Sequence, residues 1–134
     1  MSQIRHLSGR TWEKMLKESG VDVFNGAQGR ILYVLWEHGS LTITEIGKLT
    51  SLAKTTLTSM LDRMEKAELI RRVPDKKNRR QIFIEITEKA RAYQQKYDAL
   101  SVQMNDIFYT GFTDEEIENF EEKLRKIIEN LEST

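Results

Sequence analysis

The sequence predicts a mainly α-helical fold with one small β-hairpin. Three observations support this prediction. Apolar residues recur at helical spacing over most of the chain, strict alternation occurs only near residues 70–86, and two capping-box sequences mark helix starts. The chain has 134 residues, of which 39% are hydrophobic and 31% are charged. This composition is typical of an ordinary globular protein, so we expect residues 1–134 to form a single domain.

Two amphipathic helices are expected at the start of the chain. The first ends near Gly20, and the second begins after Asn25, which can cap it, and ends at Gly39. Their apolar residues follow helical spacing: Ile4, Leu7, Trp12, Met15 and Leu16 in the first, and Ile31, Leu32, Val34, Leu35 and Trp36 in the second.

The stretch "LTITEI" marks the start of a third helix. Thr42 and Glu45 form a capping box, and Leu41 and Ile46 occupy the hydrophobic positions that flank such a box. A short helix over residues 43–50 is therefore expected. Three residues then separate it from a longer helix, and this succession is a helix-turn-helix pattern.

The longer helix, at about residues 53–67, has one apolar face and one polar face. Short hydroxyl side chains on the polar face allow close approach to a DNA groove and can bond to phosphates or base edges. Candidate DNA-binding residues on this helix are Lys54, Thr55, Thr56, Thr58, Ser59 and Arg63. The alternative is a solvent-exposed face that is rich in threonine. Asp62 is not expected to contact bases; it can pair with Lys66 or orient a nearby arginine.

Two β-type runs, "LIRRV" and "QIFIEI", follow this helix. The polar turn between them predicts a hairpin whose tip, at residues 74–81, is strongly basic. Such a tip can lie along the DNA backbone and insert an arginine into the minor groove. The alternative is that these cations merely decorate an exposed turn. The tip cations are Lys76, Lys77, Arg79 and Arg80.

The charge distribution is uneven although the net charge is zero. Residues 48–80 carry ten Lys and Arg against four Asp and Glu, whereas residues 99–134 carry three against nine. Such a split predicts a basic working surface and an acidic end placed away from it. The alternative is ordinary fluctuation of charge along a sequence.

The last third of the chain predicts two more helices. One begins after Thr87, and the other begins at a second capping box formed by Thr113 and Glu116. Their apolar stripes have the spacing of a packed helical seam. We expect these apolar stripes to be buried, either against a second protomer or against the rest of the same chain.

Several classes of function are disfavoured by the sequence. The chain has no cysteine, which removes disulfides and thiol chemistry, and its two histidines, His6 and His38, lie on different predicted helices. No nucleophile–base pair or phosphate-binding loop is found, so we expect neither an enzyme, a cofactor nor a metal site. No apolar run approaches the length of a membrane span and no signal peptide is evident, so we expect a cytoplasmic protein without a membrane partner.

The segment from Asn25 to Lys89 resembles the MarR family of bacterial winged helix-turn-helix regulators. Four pieces carry the resemblance in order: "AQGRILYVL", "LTITEIGKLTSLAKTTLTSMLDRMEKAELIRR", "PDKKNRRQIFIEIT" and "TEKA". The wing departs from the family's Asp-x-Arg. Arg80 matches the arginine that enters the minor groove, and Asn78 replaces the aspartate that orients it. Ala53 stands where the family often has a serine cap.

The resemblance implies a homodimer. Residues 1–20 and 88–134 would form its helical dimerisation platform, and residues 25–87 its DNA-binding lobe. It further implies a pseudo-palindromic operator and release of DNA by a small aromatic effector. Four residues are candidates for the effector site, although each also suits an ordinary core: Trp12, Met15, Trp36 and Tyr97.

The sequence as a whole therefore predicts a homodimeric, sequence-specific regulator of transcription that binds double-stranded DNA and acts as a repressor. The alternative function is a winged-helix module that binds a protein or a small ligand and has no DNA target. The basic hairpin tip favours the first, because such a module has little reason to keep it.

Overall fold

The computed structural model describes residues 1–21 and 26–134, so the predicted cap at Asn25 lies outside the described residues. Contacts divide the chain into two compact units, Met1–Leu100 and Ser101–Thr134. The elements, in chain order, are α1 Ser2–Glu18, α2 Gly26–His38, β1 Leu41–Thr42, α3 Ile43–Thr50, α4 Lys54–Lys66, β2 Ile70–Pro74, β3 Ile82–Ile86, α5 Glu88–Arg91, α6 Gln94–Phe108 and α7 Asp114–Glu132. The mainly helical fold with a small wing is confirmed.

The capping box at the start of α3 forms as predicted. The Glu45 amide donates to Thr42 Oγ1 at 3.2 Å, and the Thr42 amide donates to Glu45 Oε1 at 3.0 Å. The hydrogen bond from the Thr42 backbone is the main cause that lowers the pKa of Glu45. Leu41 and Ile46 are buried on either side of the box, so α3 starts at a fixed angle against the core.

Helix α4 begins one residue after the predicted start and ends one residue before the predicted end. A three-residue turn separates it from α3, and Ser51 in this turn adopts a left-handed backbone with φ of 58°. The N-cap residue Ala53 makes no side-chain hydrogen bond, as expected from its methyl side chain. The helix is therefore held by packing rather than by its cap.

The hairpin belongs to a three-stranded antiparallel sheet with the order β1-β3-β2. In the hairpin, Ile70 pairs with Ile86 and Pro74 pairs with Ile82. The third strand, β1, was not predicted because two residues are too few to show alternation. It places the capping box beside β3, with Leu41 opposite Ile84.

The core of the first unit draws on every layer of the fold. Its largest fully buried side chains come from α1, α2, α3, α4, the sheet and the segments that follow α1 and α4: Leu16, Val21, Ile31, Leu32, Leu35, Ile46, Leu57, Leu61, Met64, Leu69, Ile70 and Ile84. Burial of this many aliphatic groups supplies most of the stabilisation of the unit.

The single long helix predicted after Thr87 is two helices, α5 and α6. The Tyr93 amide donates to the carbonyl of Ala90 at 3.1 Å, three residues back instead of four. This tighter turn interrupts the α-helical ladder between the two helices. Ala90, Tyr97 and Leu100 are buried in the first unit, so the first part of the predicted stripe packs on its own chain.

The second unit is a helical hairpin. The capping box between Thr113 and Glu116 starts α7 as predicted. Tyr109 packs its ring edge-to-face against Phe108, Phe112 and Phe120. Its hydroxyl donates to Glu121 Oε1 at 3.1 Å, and partial desolvation together with this bond raises the pKa of Tyr109.

The apolar stripe of α7 is not buried within the described residues. Phe120 is 38% exposed, Ile127 is 51% exposed and Leu131 is 71% exposed. A stripe of this size in water is typical of a surface that binds another protein.

Candidate nucleic-acid interface

The polar face of α4 is exposed along its length. Leu57, Leu61 and Met64 are buried beneath it, and Met60 packs partly against the same core. Because these residues fix the rotation of the helix, the opposite face must point outward. The predicted DNA-binding residues on this helix are all exposed: Lys54, Thr55, Thr56, Thr58, Ser59 and Arg63.

The hydroxyl groups on this face differ in what they can still bind. Thr58 Oγ1 donates to the carbonyl of Lys54 at 2.9 Å, so its proton is used inside the helix. Within the described chain, the hydroxyls of Thr55, Thr56 and Ser59 make no hydrogen bond. These three groups can both donate to and accept from a ligand in the groove.

The hairpin tip is held by a local network of backbone hydrogen bonds. Asp75 Oδ1 accepts from the Lys77 amide at 2.9 Å, and Asn78 Oδ1 accepts from the Arg80 amide at 3.1 Å. The Gln81 amide donates to the Asn78 carbonyl at 3.0 Å. Asn78 therefore fixes the backbone at Arg80, whereas its expected contact was with the arginine side chain. The four cations of the tip are exposed: Lys76, Lys77, Arg79 and Arg80.

One open cleft of about 480 Å³ joins the helix-turn-helix to the wing. Lys54 from the first turn of α4 and Arg80 from the wing both line it. Thr42, Thr44 and Glu45 at the start of α3 complete its wall. Two cations that are 26 positions apart in the sequence thus face the same space, as a phosphate-binding surface requires.

The carboxylate of Asp62 pairs with an arginine that the sequence did not identify. Arg72 Nη2 lies 2.9 Å from Asp62 Oδ1, and Arg72 Nη1 lies 2.6 Å from Glu65 Oε1. Of the two roles predicted for Asp62, the pairing with an arginine is therefore observed, and no ion pair with Lys66 is present among the described residues. Strand alternation could have indicated Arg72, because it places Arg71 and Arg72 on opposite faces of β2.

Three of the four candidate effector residues meet in the first unit. Tyr97 packs edge-to-face against Trp12 at 5.1 Å and Trp36 at 5.2 Å, and Met15 packs against the same core. Burial raises the pKa of Tyr97 to about 12.

The indole of Trp36 has an unusual environment. Its Nε1–H is buried and finds no hydrogen-bond acceptor among the residues described. Trp36 also lines a cavity of about 210 Å³, together with Arg71, Glu85 and Arg91. A buried indole donor normally has a partner, so this group is free to bind an added acceptor.

Two further classes of site receive no support from the structure. In the part of the chain that the structure describes, no cluster of three or more His, Asp or Glu side chains is arranged to hold a metal ion. None of the helices described there combines the length and the apolar character that crossing a bilayer requires.

Comparison with known sequences supports a regulatory function. A sequence model of the MarR family matches residues 24–82. The uncharacterized HTH-type transcriptional regulator YsmB of Bacillus subtilis is 34% identical over 130 residues, covering 92% of this chain and 85% of that protein. The HTH-type transcriptional regulator TtmR of Methylorubrum extorquens is 32% identical over 128 residues, covering 96% of this chain and 60% of that protein.

Solved structures share the fold. A mutant of Escherichia coli MarR in complex with operator DNA superposes with a TM-score of 0.78 at 23% identity, covering 94% of this chain and 91% of that one. Reduced AbfR bound to DNA gives 0.75 at 26% identity, with 97% and 87% covered. Bordetella bronchiseptica BpsR, described as regulated in its DNA binding by 6-hydroxynicotinic acid, gives 0.84 at 18% identity, with 94% and 88% covered.

Proposed function

Because the chain belongs to the MarR family of DNA-binding transcriptional regulators, we propose that it binds a pseudo-palindromic operator as a homodimer and represses transcription. The observation that carries the proposal is the shared cleft, in which Lys54 of α4 and Arg80 of the wing face the same space. A cytoplasmic location is part of the proposal, because the DNA target lies in that compartment.

In this proposal α4 lies in the major groove and the wing lies at the minor groove. Thr55, Thr56 and Ser59 read base edges, because their hydroxyls are exposed and unpaired within the described chain. Thr58 contributes as an acceptor, since its proton is bonded to Lys54. Lys54, Arg63, Lys76, Lys77 and Arg79 bind phosphates, and Arg80 enters the minor groove with its backbone fixed by Asn78.

The proposed dimer is formed by residues 1–20 and 88–134 of each protomer, within one domain that spans residues 1–134. Ile4 and Leu7 of α1 are each 53% exposed, and the stripe of α7 is also exposed. Pairing with a second copy removes these surfaces from water. A two-fold dimer then presents its recognition helices to successive major grooves, about 34 Å apart.

The proposed effector is a small aromatic molecule that binds beside Trp12, Met15, Trp36 and Tyr97. The support is the buried indole donor of Trp36, together with the regulation of BpsR by 6-hydroxynicotinic acid. A ligand that binds better to the DNA-free arrangement would release the operator. Titration with 6-hydroxynicotinic acid and with benzoate, followed by tryptophan fluorescence, tests for such a site, and Trp36→Phe should weaken any binding found.

A gel shift across a salt series, on duplex DNA that flanks the protein's own gene, tests DNA binding. Arg80→Ala should weaken binding strongly and reduce the slope of log K against log salt concentration by about 0.9 per protomer. Thr55→Ala and Ser59→Ala should change sequence preference more than total affinity. Arg125→Ala, on the exposed face of α7, is the charge-matched control and should bind almost as the wild type does. Equal and small losses from Arg80→Ala, Thr55→Ala and Ser59→Ala would contradict the assignment of the grooves.

Light scattering tests the dimer. The wild type should have twice the mass of one chain, and Phe120→Glu should shift it toward monomer. Lys123→Glu, on the same helix, is the control for an added carboxylate. A monomeric wild type at micromolar concentration would contradict the proposed platform.

A further inference from the structure

The recognition helix carries two carboxylates that a DNA-binding surface should not tolerate. At 100° per residue, Asp62 lies on the same face of α4 as Thr55 and Ser59, and Glu65 lies at its flank. The Asp62 side chain is 58% exposed and the Glu65 side chain is 44% exposed. Two uncompensated negative charges at these positions would repel the phosphates that α4 approaches.

Arg72 binds both carboxylates with one guanidinium group. Its two terminal nitrogens lie 2.9 Å from Asp62 Oδ1 and 2.6 Å from Glu65 Oε1. The Arg72 side chain is only 23% exposed, so it approaches the helix from the side of β2 rather than from solvent. A planar fork with several donors suits two acceptors at once, whereas a lysine presents a single charged centre.

We propose that Arg72 is a positioning residue for DNA binding: it offsets one of the two negative charges of Asp62 and Glu65 and holds both carboxylates away from the phosphates. The inference rests on the proposed placement of α4 in the major groove. Arg72 itself need not touch DNA. It acts through the two acids, and it ties α4 to the strand that leads directly into the wing.

The neighbouring residue Arg71 provides a matched control. It stands on the same strand and carries the same charge, but it pairs with Glu85 at 3.3 Å on the other face of the sheet. Loss of either arginine changes the net charge of the protein by the same amount. A difference between the two variants therefore reports the contact with α4 and not the total charge.

The experiment compares Arg72→Met with Arg71→Met by fluorescence anisotropy, on a labelled duplex from the flanking DNA of the gene. We expect Arg72→Met to bind on the order of tenfold more weakly than Arg71→Met, because two carboxylates then face several phosphates at close range. Thermal denaturation should differ little between the two variants, since each ion pair has a partner that water still reaches and such pairs contribute little to folding. Equal affinities for the two variants would overturn the inference.

A charge-neutral background separates compensation from simple packing. The D62N/E65Q protein has no negative charge on α4. Adding Arg72→Met to it should therefore lower the affinity for DNA by no more than Arg71→Met lowers it in the wild type. This comparison also holds if Arg72→Met alone folds poorly. A loss of affinity from D62N/E65Q to D62N/E65Q/R72M that exceeds the loss from wild type to Arg71→Met would overturn the inference. If instead the wild type is folded but binds no duplex, the proposed function fails and this inference fails with it.

Discussion

Glu68 has a backbone conformation that glycine adopts at a lower energetic cost. It follows the C-cap of α4 with φ of 62°, in the left-handed region. The Leu69 amide donates to the Met64 carbonyl at 2.9 Å. This bond encloses six residues, as in the Schellman motif that ends many helices. A left-handed conformation costs a residue with a Cβ about 1–2 kcal/mol, and glycine loses about 0.5–1 kcal/mol more than alanine in chain entropy. Glu68→Gly should therefore raise the free energy of unfolding by about 0.5–1 kcal/mol.

Urea denaturation at neutral pH and fixed protein concentration measures this gain, and the melting temperature should rise by about 2–4 °C. Glu68→Ala is the control, because it removes the same charge and side chain but keeps the Cβ. Only glycine should stabilise the protein, and its affinity for DNA should be unchanged, since residue 68 lies past the far end of α4. A gain from alanine equal to that from glycine, or no gain from either, would refute the conformational explanation.

Three further predictions concern the first unit. Thr42→Ala removes the hydroxyl half of the capping box and should cost about 1 kcal/mol of stability at neutral pH. The backbone amide of residue 42, which is the main cause of the lowered pKa of Glu45, is retained in alanine, so most of the difference between mutant and wild type in acid denaturation should persist as the pH falls through that lowered pKa. Ile84→Ala in the central strand, where the side chain is fully buried, should cost about 2–5 kcal/mol in urea denaturation, and a loss below 1 kcal/mol would contradict the burial. Because burial raises the pKa of Tyr97 to about 12, its phenol should stay protonated in the folded protein at pH values where an unfolded tyrosine, with a pKa near 10, ionises. The free energy of unfolding should therefore fall as the pH rises from about 10 to about 12, and Tyr97→Phe, followed by ultraviolet titration, should lack this dependence.

The predictable part of the fold is the part encoded by neighbouring residues. Thr42 and Glu45 satisfy each other three positions apart, so α3 starts where its sequence indicates. The buried stripe of Leu57, Leu61 and Met64 fixes the outward face of α4 without reference to any other element. The exposure of the hydroxyl groups could therefore be derived from helical period alone.

The features that were missed depend on distant residues. Strand β1 has two residues and exists only because β3 offers it a partner 43 positions away, at Ile84 opposite Leu41. The pairing of Arg72 with Asp62 depends in the same way on how β2 packs beside α4. Local pattern carries no information about such contacts, and for this reason the sequence alone does not distinguish Lys66 from an arginine as the partner of Asp62.

The ion pairs also explain how a chain with no net charge can present a strongly basic surface. One guanidinium, that of Arg72, binds both acids of the recognition helix and offsets one of their two negative charges, so neither acid pairs with a cation that is proposed to contact DNA. The six cations proposed to contact DNA make no ion pair within the described residues: Lys54, Arg63, Lys76, Lys77, Arg79 and Arg80. If all six displace counterions, the logarithm of the binding constant should fall with a slope of about −5 per protomer against the logarithm of salt concentration. A measured slope near −1 would mean that most of these side chains do not reach phosphate, and Arg72 would then have little repulsion to relieve.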